Sequence, residues 1–377
     1  MKNKRNIAIY GLLILELCTG RILADWNMDT AVDREYNTNP FRYVSPAESW
    51  STLMYAVLQT SFDGRKVSYS GLFETFDQIT SRDYYWHQLQ FSQIRQGTSW
   101  GLGMSQRFGK STFQEYNYST VKAFYNHKLP INVFSLYFHG NVEGAWYSDL
   151  DEYNNIKTNI GLRLHHTFPT KTTVIIAVYT NHTQYLTPVI SAEAVGMRGG
   201  RWSRNFETES EYYPSITQGV LRTRFAQSVM QGTGIALQYD VRILAEKSEW
   251  SDSGVPSAFT DLAIWDDPAR YRGYTVGGEL TQLLPWHTTL KIAGYRGEKE
   301  FIHQMEYFSP DSIDYGNYRT DNLCTVWISL EKTFQSDLEI LNNLTLSVYG
   351  QWIDNTSTSY WYTYTMRYTS LGLEYRF

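Results

Sequence analysis

His165 and His166 stand side by side in "LRLHHTF", and two adjacent imidazoles suggest a metal pair. Around them Ile160, Leu162 and Leu164 alternate with Asn159, Arg163 and His165, which is the two-residue period of a strand, so neighbouring side chains point to opposite faces. The two histidines therefore cannot chelate one ion. His139 and His165 can face the same way on neighbouring strands, but no third ligand accompanies them. Ser105 in "GMSQRFG" has no base placed beside it, and the chain contains no Gly-x-Ser-x-Gly elbow. Asp261, Asp266 and Asp267 lack the spacing of a calcium loop. His182 and His303, with the acids of the long connections, give only an unsupported suggestion of hydrolase chemistry. No cofactor, metal or catalysis is expected.

The charged residues form a more coherent set. In "STLMYAVLQTSFDGRKVSYSGLFETF" the pair Asp63-Gly64 suits a two-residue turn, because both positions tolerate positive φ. That turn sets Thr60 opposite Val67, Leu58 opposite Tyr69, Ala56 opposite Gly71 and Met54 opposite Phe73, all on one face. In "TQGVLRTRFAQSVMQGTGIALQYDVRIL" a loop from Met230 to Gly232 puts Leu221, Thr223 and Phe225 outward and sets Arg222 opposite Asp240 and Arg224 opposite Gln238. Extending this parity gives an inward set of Glu143, Lys157, Arg163, Arg222, Arg224, Asp240, Arg242, Glu279 and Glu331. Its basic members concentrate on the eighth to eleventh strands. In a water-filled lumen they would tune which solutes pass, and otherwise they are cross-strand ion pairs in a filled one.

These positions require about sixteen strands. They fall near 26–36, 49–62, 66–76, 84–95, 99–108, 116–128, 132–146, 155–168, 172–186, 215–229, 234–246, 272–284, 288–301, 321–334, 343–353 and 364–377. Counts of about fourteen or eighteen also fit, since boundaries carry an error of a few residues. Tight turns at Asp63-Gly64, Gly97-Thr98, Pro130, Pro169 to Lys171, Met230 to Gly232 and Pro285 to His287 alternate with connections that are mostly longer. The longest, 187–214 and 247–271, read as loops. Arg198, Arg201 and Arg204 recur in the first beside glycines and suit a phosphate or another anion. Glu207, Glu209 and Glu211 in the same loop balance them.

The start, "MKNKRNIAIYGLLILELCTGRILADW", places Lys2, Lys4 and Arg5 before a short apolar run and a small residue, Ala24. Residues 1–24 are therefore expected to be a cleaved signal peptide, with 25–377 as a single domain. Cleavage removes Cys18 and leaves Cys324 alone, so neither a disulfide nor a thiolate metal site follows. A formal charge of −5 without basic blocks excludes nucleic acid as a partner. Aromatic residues make up 16% of the chain, 30 Tyr and 12 Trp among them, which fits two-faced strands with aromatic girdles.

The end is "SLGLEYRF", with Leu371, Leu373, Tyr375 and Phe377 on one side and Ser370, Gly372, Glu374 and Arg376 on the other. It resembles the C-terminal β-signal of Gram-negative outer-membrane proteins, through Ser370, Gly372, Tyr375 and Phe377. That resemblance implies an all-β transmembrane antiparallel up-and-down β-barrel with short periplasmic turns and longer extracellular loops, inserted by the barrel-assembly machinery. Outer-membrane lipid and lipopolysaccharide would surround it. A porin-like channel for small polar solutes is the function this implies, with a non-conducting barrel that displays its two long loops as the alternative. General porins constrict the pore with the loop between their fifth and sixth strands, but here that connection is only "GKSTFQEY". The segment after the ninth strand, or the acidic one after the eleventh, would have to take that part.

Overall fold

Strands that alternate apolar and polar residues carry one face suited to water and one that is not, and a sheet in lipid must also pair every backbone N–H. Closure meets both demands. The computed structural model describes residues 26–376 apart from 41, 43, 195–206, 214, 246–270, 311 and 335–342. The described residues form a closed antiparallel barrel of sixteen strands and a separate two-stranded sheet. In chain order the wall begins with β1 (Trp26–Asn37), β2 (Ser49–Phe62), β3 (Arg65–Phe76) and β4 (Tyr84–Arg95). It continues through β5 (Thr98–Gly109), β6 (Tyr118–Ile131), β7 (Phe134–Tyr147), β8 (Asn155–Thr167) and β9 (Thr172–Tyr185). The hairpin β10 (Val189–Ala194) and β11 (Glu207–Tyr212) stands apart from it. The wall resumes with β12 (Ser215–Met230), β13 (Thr233–Leu244), β14 (Arg272–Leu284) and β15 (Thr288–Ser309), then β16 (Ser312–Thr333), β17 (Leu344–Ser357) and β18 (Tyr364–Arg376). β9 pairs with β12 across the inserted hairpin, and β18 pairs with β1 from Asp29↔Arg376 to Asn37↔Tyr368.

The registers follow the turn arithmetic. Thr60 pairs with Val67 and Met54 with Phe73, and the turn residues Asp63 and Gly64 have φ of 49° and 72°. Gly64 is required twice over, since a Cβ there would also lie 2.8 Å from the Ile94 carbonyl oxygen. Arg222 lies opposite Asp240 and Arg224 opposite Gln238. At that hairpin's end Met230 pairs with Thr233, and a bulge between Ser228 and Met230 absorbs the third loop residue.

The face shared by Met54, Leu237, Leu371 and Leu373 is exposed by 50%, 62%, 53% and 47%. Such exposure along the wall would be costly in water at roughly 25 cal/mol per Å². It is the outer surface of a transmembrane barrel, and both described chain ends and the tight turns share one rim.

Four expectations need correction. The turn placed at Gly97-Thr98 lies at Gln96-Gly97, because Thr98 already pairs with Arg95 in β5. The turn placed at Pro130 lies at Asn132–Val133, because Pro130 stays in β6 opposite Ser135. The proline is tolerated there since the last partner of β6 on β5 is His127↔Thr98, so its missing N–H breaks no ladder on that side. The connection expected between 301 and 321 is strand, which lengthens β15 and β16 to 22 residues each. Register shifts after Phe301, Met305 and Tyr307 had broken the two-residue period there. The tall hairpin is anchored by Arg319, whose guanidinium lies 4.0 Å from the Phe301 ring centroid and 3.4 Å from that of Tyr362. It also donates to Gln304 at 2.7 Å and to Asp321 at 2.9 Å. Last, the loop 187–214 contains β10 and β11, paired from Val189↔Tyr212 to Ala194↔Glu207.

Candidate functional site

Register parity places every charged residue of the sequence-derived inward set on the face opposite the exposed apolar rows. On the wall from β12 to β16 most of these charges pair with one another along the wall. Arg222 forms a two-pronged contact with Asp240, Nε to Oδ1 at 3.0 Å and Nη2 to Oδ2 at 2.9 Å. Arg224 reaches over β13 to Glu279 at 3.4 Å. Lys291 lies 3.7 Å from Glu331. Arg242 donates to Gln218 at 3.2 Å and lies 5.1 Å from the Tyr271 ring. All of these lie along the wall, so they stiffen it without crossing the lumen.

The wall from β5 to β8 differs. Lys122, Glu143 and Lys157 form one row across β6, β7 and β8, in register as Lys122↔Glu143 and Glu143↔Lys157. Among the described ion pairs none involves this row, although its members are directly opposed. Nearer the long-loop rim, opposite Tyr118, Arg107 stacks 4.7 Å from the Tyr84 ring. Toward the tight-turn rim, Arg163 lies 4.4 Å and Lys128 5.5 Å from the Tyr137 ring. Cation–π contacts of this kind leave the positive charge in place.

A third sector, β18 to β3, is acidic. Asp33 and Glu35 on β1, Glu74 on β3 and Glu374 on β18 share the inner face. Glu35 accepts from Ser51 at 3.2 Å and is hydrogen-bonded by Tyr368. In the closed strand order β7 is the sixth strand from β1 in a ring of sixteen. The acidic and basic sectors therefore occupy different arcs of the lumen wall, with β4 between them.

The sequence-derived inward set omitted Arg107, Lys122, Lys128, Asp33 and Glu35. The same parity would have found them, since Val121, Ala123 and Tyr125 facing out put Lys122 in, and Val32 facing out puts Asp33 and Glu35 in. The basic strip expected on the eighth to eleventh barrel strands is paired in its later half, and its unpaired cations continue instead onto β6.

His165 and His166 do fall on opposite faces, with His166 bonded to the Val133 carbonyl. His139 is held between Asn126 and Asn141, and among the described residues no group of three metal-type side chains occurs. Ser105 bonds Thr120 at 2.7 Å, and His182 bonds Thr217 at 2.8 Å on the outer face. Arg198, Arg201, Arg204, Asp261, Asp266, Asp267 and Phe377 lie outside the described residues, as does the leader 1–24. Gly372 and Tyr375 lie on β18. A Cβ on Gly372 would collide with the Asp33 carboxylate, and it would sit 2.5 Å from the Ser347 hydroxyl.

No family model matches the chain, and no curated protein matches it in sequence. Solved structures do match in shape. OccAB1 of Acinetobacter baumannii superposes with a TM-score of 0.54 at 7% identity, covering 94% of this chain and 96% of that one. OpdQ of Pseudomonas aeruginosa gives 0.50 at 9%, covering 94% and 97%. A variant of OccD1 (OprD) gives 0.50 at 9%, covering 94% and 95%. At such identities the likeness establishes one thing: this chain has the closed barrel fold that those proteins share.

Proposed function

We propose that the protein is an outer-membrane channel for small polar solutes. The observation that carries this reading is a closed sixteen-strand barrel with an apolar outer face and a charged inner face whose ion pairs stay within the wall. A barrel of this size holds water. The acidic sector at β18 to β3 and the cations at β5 to β8 produce a field across that water, which orients dipolar solutes and sorts ions. Planar-bilayer recording of the purified protein tests the reading. Stable open-channel steps are expected, whereas silence from a heat-modifiable, intact barrel would favour the loop-displaying alternative.

Biogenesis belongs to the same proposal. A cleaved leader, residues 1–24, directs export, and the barrel-assembly machinery recognises the last strand through Gly372, Tyr375 and Phe377. Lipid and lipopolysaccharide then surround the outer face, with Arg198, Arg201 and Arg204 available to phosphates. Deleting Phe377 should reduce the heat-modifiable form at native expression. Gly372 has a packing reason as well, so Gly372→Ala alone should impair assembly, and adding Asp33→Ala together with Ser347→Ala should restore it. Failure of that rescue would leave recognition as the reason for the glycine.

A further inference from the structure

The inner wall between β4 and β8 is recessed by about 540 Å³ near the long-loop rim. Gly103 lies at its base, where an added Cβ would meet nothing closer than 3.6 Å. The row Lys122, Glu143 and Lys157 forms one side, and Arg107 stands above it. Trp86 and Tyr118 are among its aromatic lining residues. The formal charge is three positive against one negative. A site for a simple inorganic anion has no use for a carboxylate between its lysines, because the carboxylate repels what the lysines attract. A carboxylate does suit a ligand that brings hydroxyl donors, since O–H···O⁻ bonds are short and strong.

We propose that this recess binds a phosphorylated sugar. Lys122, Lys157 and Arg107 take the phosphate, and Glu143 accepts from the ring hydroxyls. Trp86 or Tyr118 covers the apolar face of the sugar ring. No hydrogen bond or ion pair holds either lysine in the described structure, so both ammonium groups are ready to turn to a ligand. Below the recess, Arg163 and Lys128 continue the cationic path toward the tight-turn rim. The assignment rests on the channel reading, because a solute reaches the recess through the lumen.

Isothermal titration calorimetry of the detergent-solubilised full chain tests it, with glucose 6-phosphate, glucose, inorganic phosphate and benzoate as probes. Glucose 6-phosphate should bind at least about tenfold more tightly than the other three. Lys122→Met with Lys157→Met should lower that affinity by about tenfold or more. The near-isosteric Glu143→Gln should bind inorganic phosphate more tightly and lose the preference for the sugar ester. Heat-modifiable migration checks that each variant is folded. Equal binding of benzoate or inorganic phosphate by the unaltered protein would overturn the proposal. Binding without bilayer conductance would retain the site and sink the channel, and conductance without binding would do the reverse.

Discussion

Two parts of one inner wall carry similar residues and use them differently. From β12 to β16 the inward carboxylates Asp240, Glu279 and Glu331 each meet a cation, Arg222, Arg224 and Lys291 in turn. From β6 to β8, Lys122 and Lys157 oppose Glu143 directly and still form no ion pair with it. Register proximity is thus insufficient for pairing. An arginine fork can span two carboxylate oxygens at once, and that geometry repays the ordering of a long side chain. A lysine offers a single hydrated charge whose attraction to a carboxylate in water is small, and even on the paired wall Lys291 comes no nearer to Glu331 than 3.7 Å. The paired wall should therefore govern stability, and the unpaired wall should govern what passes.

Reversing the unpaired row gives the largest expected effect. Lys122→Glu with Lys157→Glu changes its formal charge from +1 to −3. The chloride-to-potassium permeability ratio in a salt gradient should fall roughly fivefold or more, with the thermal midpoint of the heat-modifiable form lowered only slightly by repulsion among the three opposed carboxylates. An unchanged reversal potential would erase the proposed distinction between the walls.

Breaking the paired wall should show the opposite signature. Asp240 is 9% exposed and Arg222 41%, so the two halves of the pair are unequal. Arg222→Met strands a buried carboxylate that keeps only the Gln238 amide, at 3.2 Å, and should cost about 2 kcal/mol. Asp240→Asn leaves an arginine that can turn to water and should cost about 1 kcal/mol. Selectivity should move little in either variant. If Asp240→Asn were the more damaging, burial would not be what sets the cost.

How far such differences were legible beforehand varies with the residue. Parity alone set Arg222 opposite Asp240, because a two-faced strand shifted by one residue would expose its whole polar side to lipid. The same rule applies to Lys122, Asp33 and Glu35, and for these the signal was present. It could not foretell that Lys157 stays apart from Glu143, since both outcomes share one register. Nor could it extend β15 past Phe301, where bulges break the period and the anchor is Arg319 held between two rings. Packing of that kind joins residues far apart in the chain, such as Phe301 and Tyr362, and leaves no local pattern.

The rim pair Arg34 and Asp77 provides the smallest expected effect and separates pairing from burial. Its two side chains are 41% and 46% exposed, and Arg34 also donates to Thr52 at 2.7 Å. The hydrogen bond from Arg34 holds the Asp77 carboxyl below its ordinary value. A depressed carboxylate stabilises the native state above its unfolded pKa, and the contribution disappears as pH falls through the native one. Exposure and salt screening should make that contribution slight. Asp77→Asn is therefore expected to leave the thermal midpoint at pH 7 unchanged in physiological salt, with a small decrease only at low ionic strength. A loss as large as that of Arg222→Met, persisting in high salt, would show that the two-pronged geometry sets the cost whether or not the pair is buried.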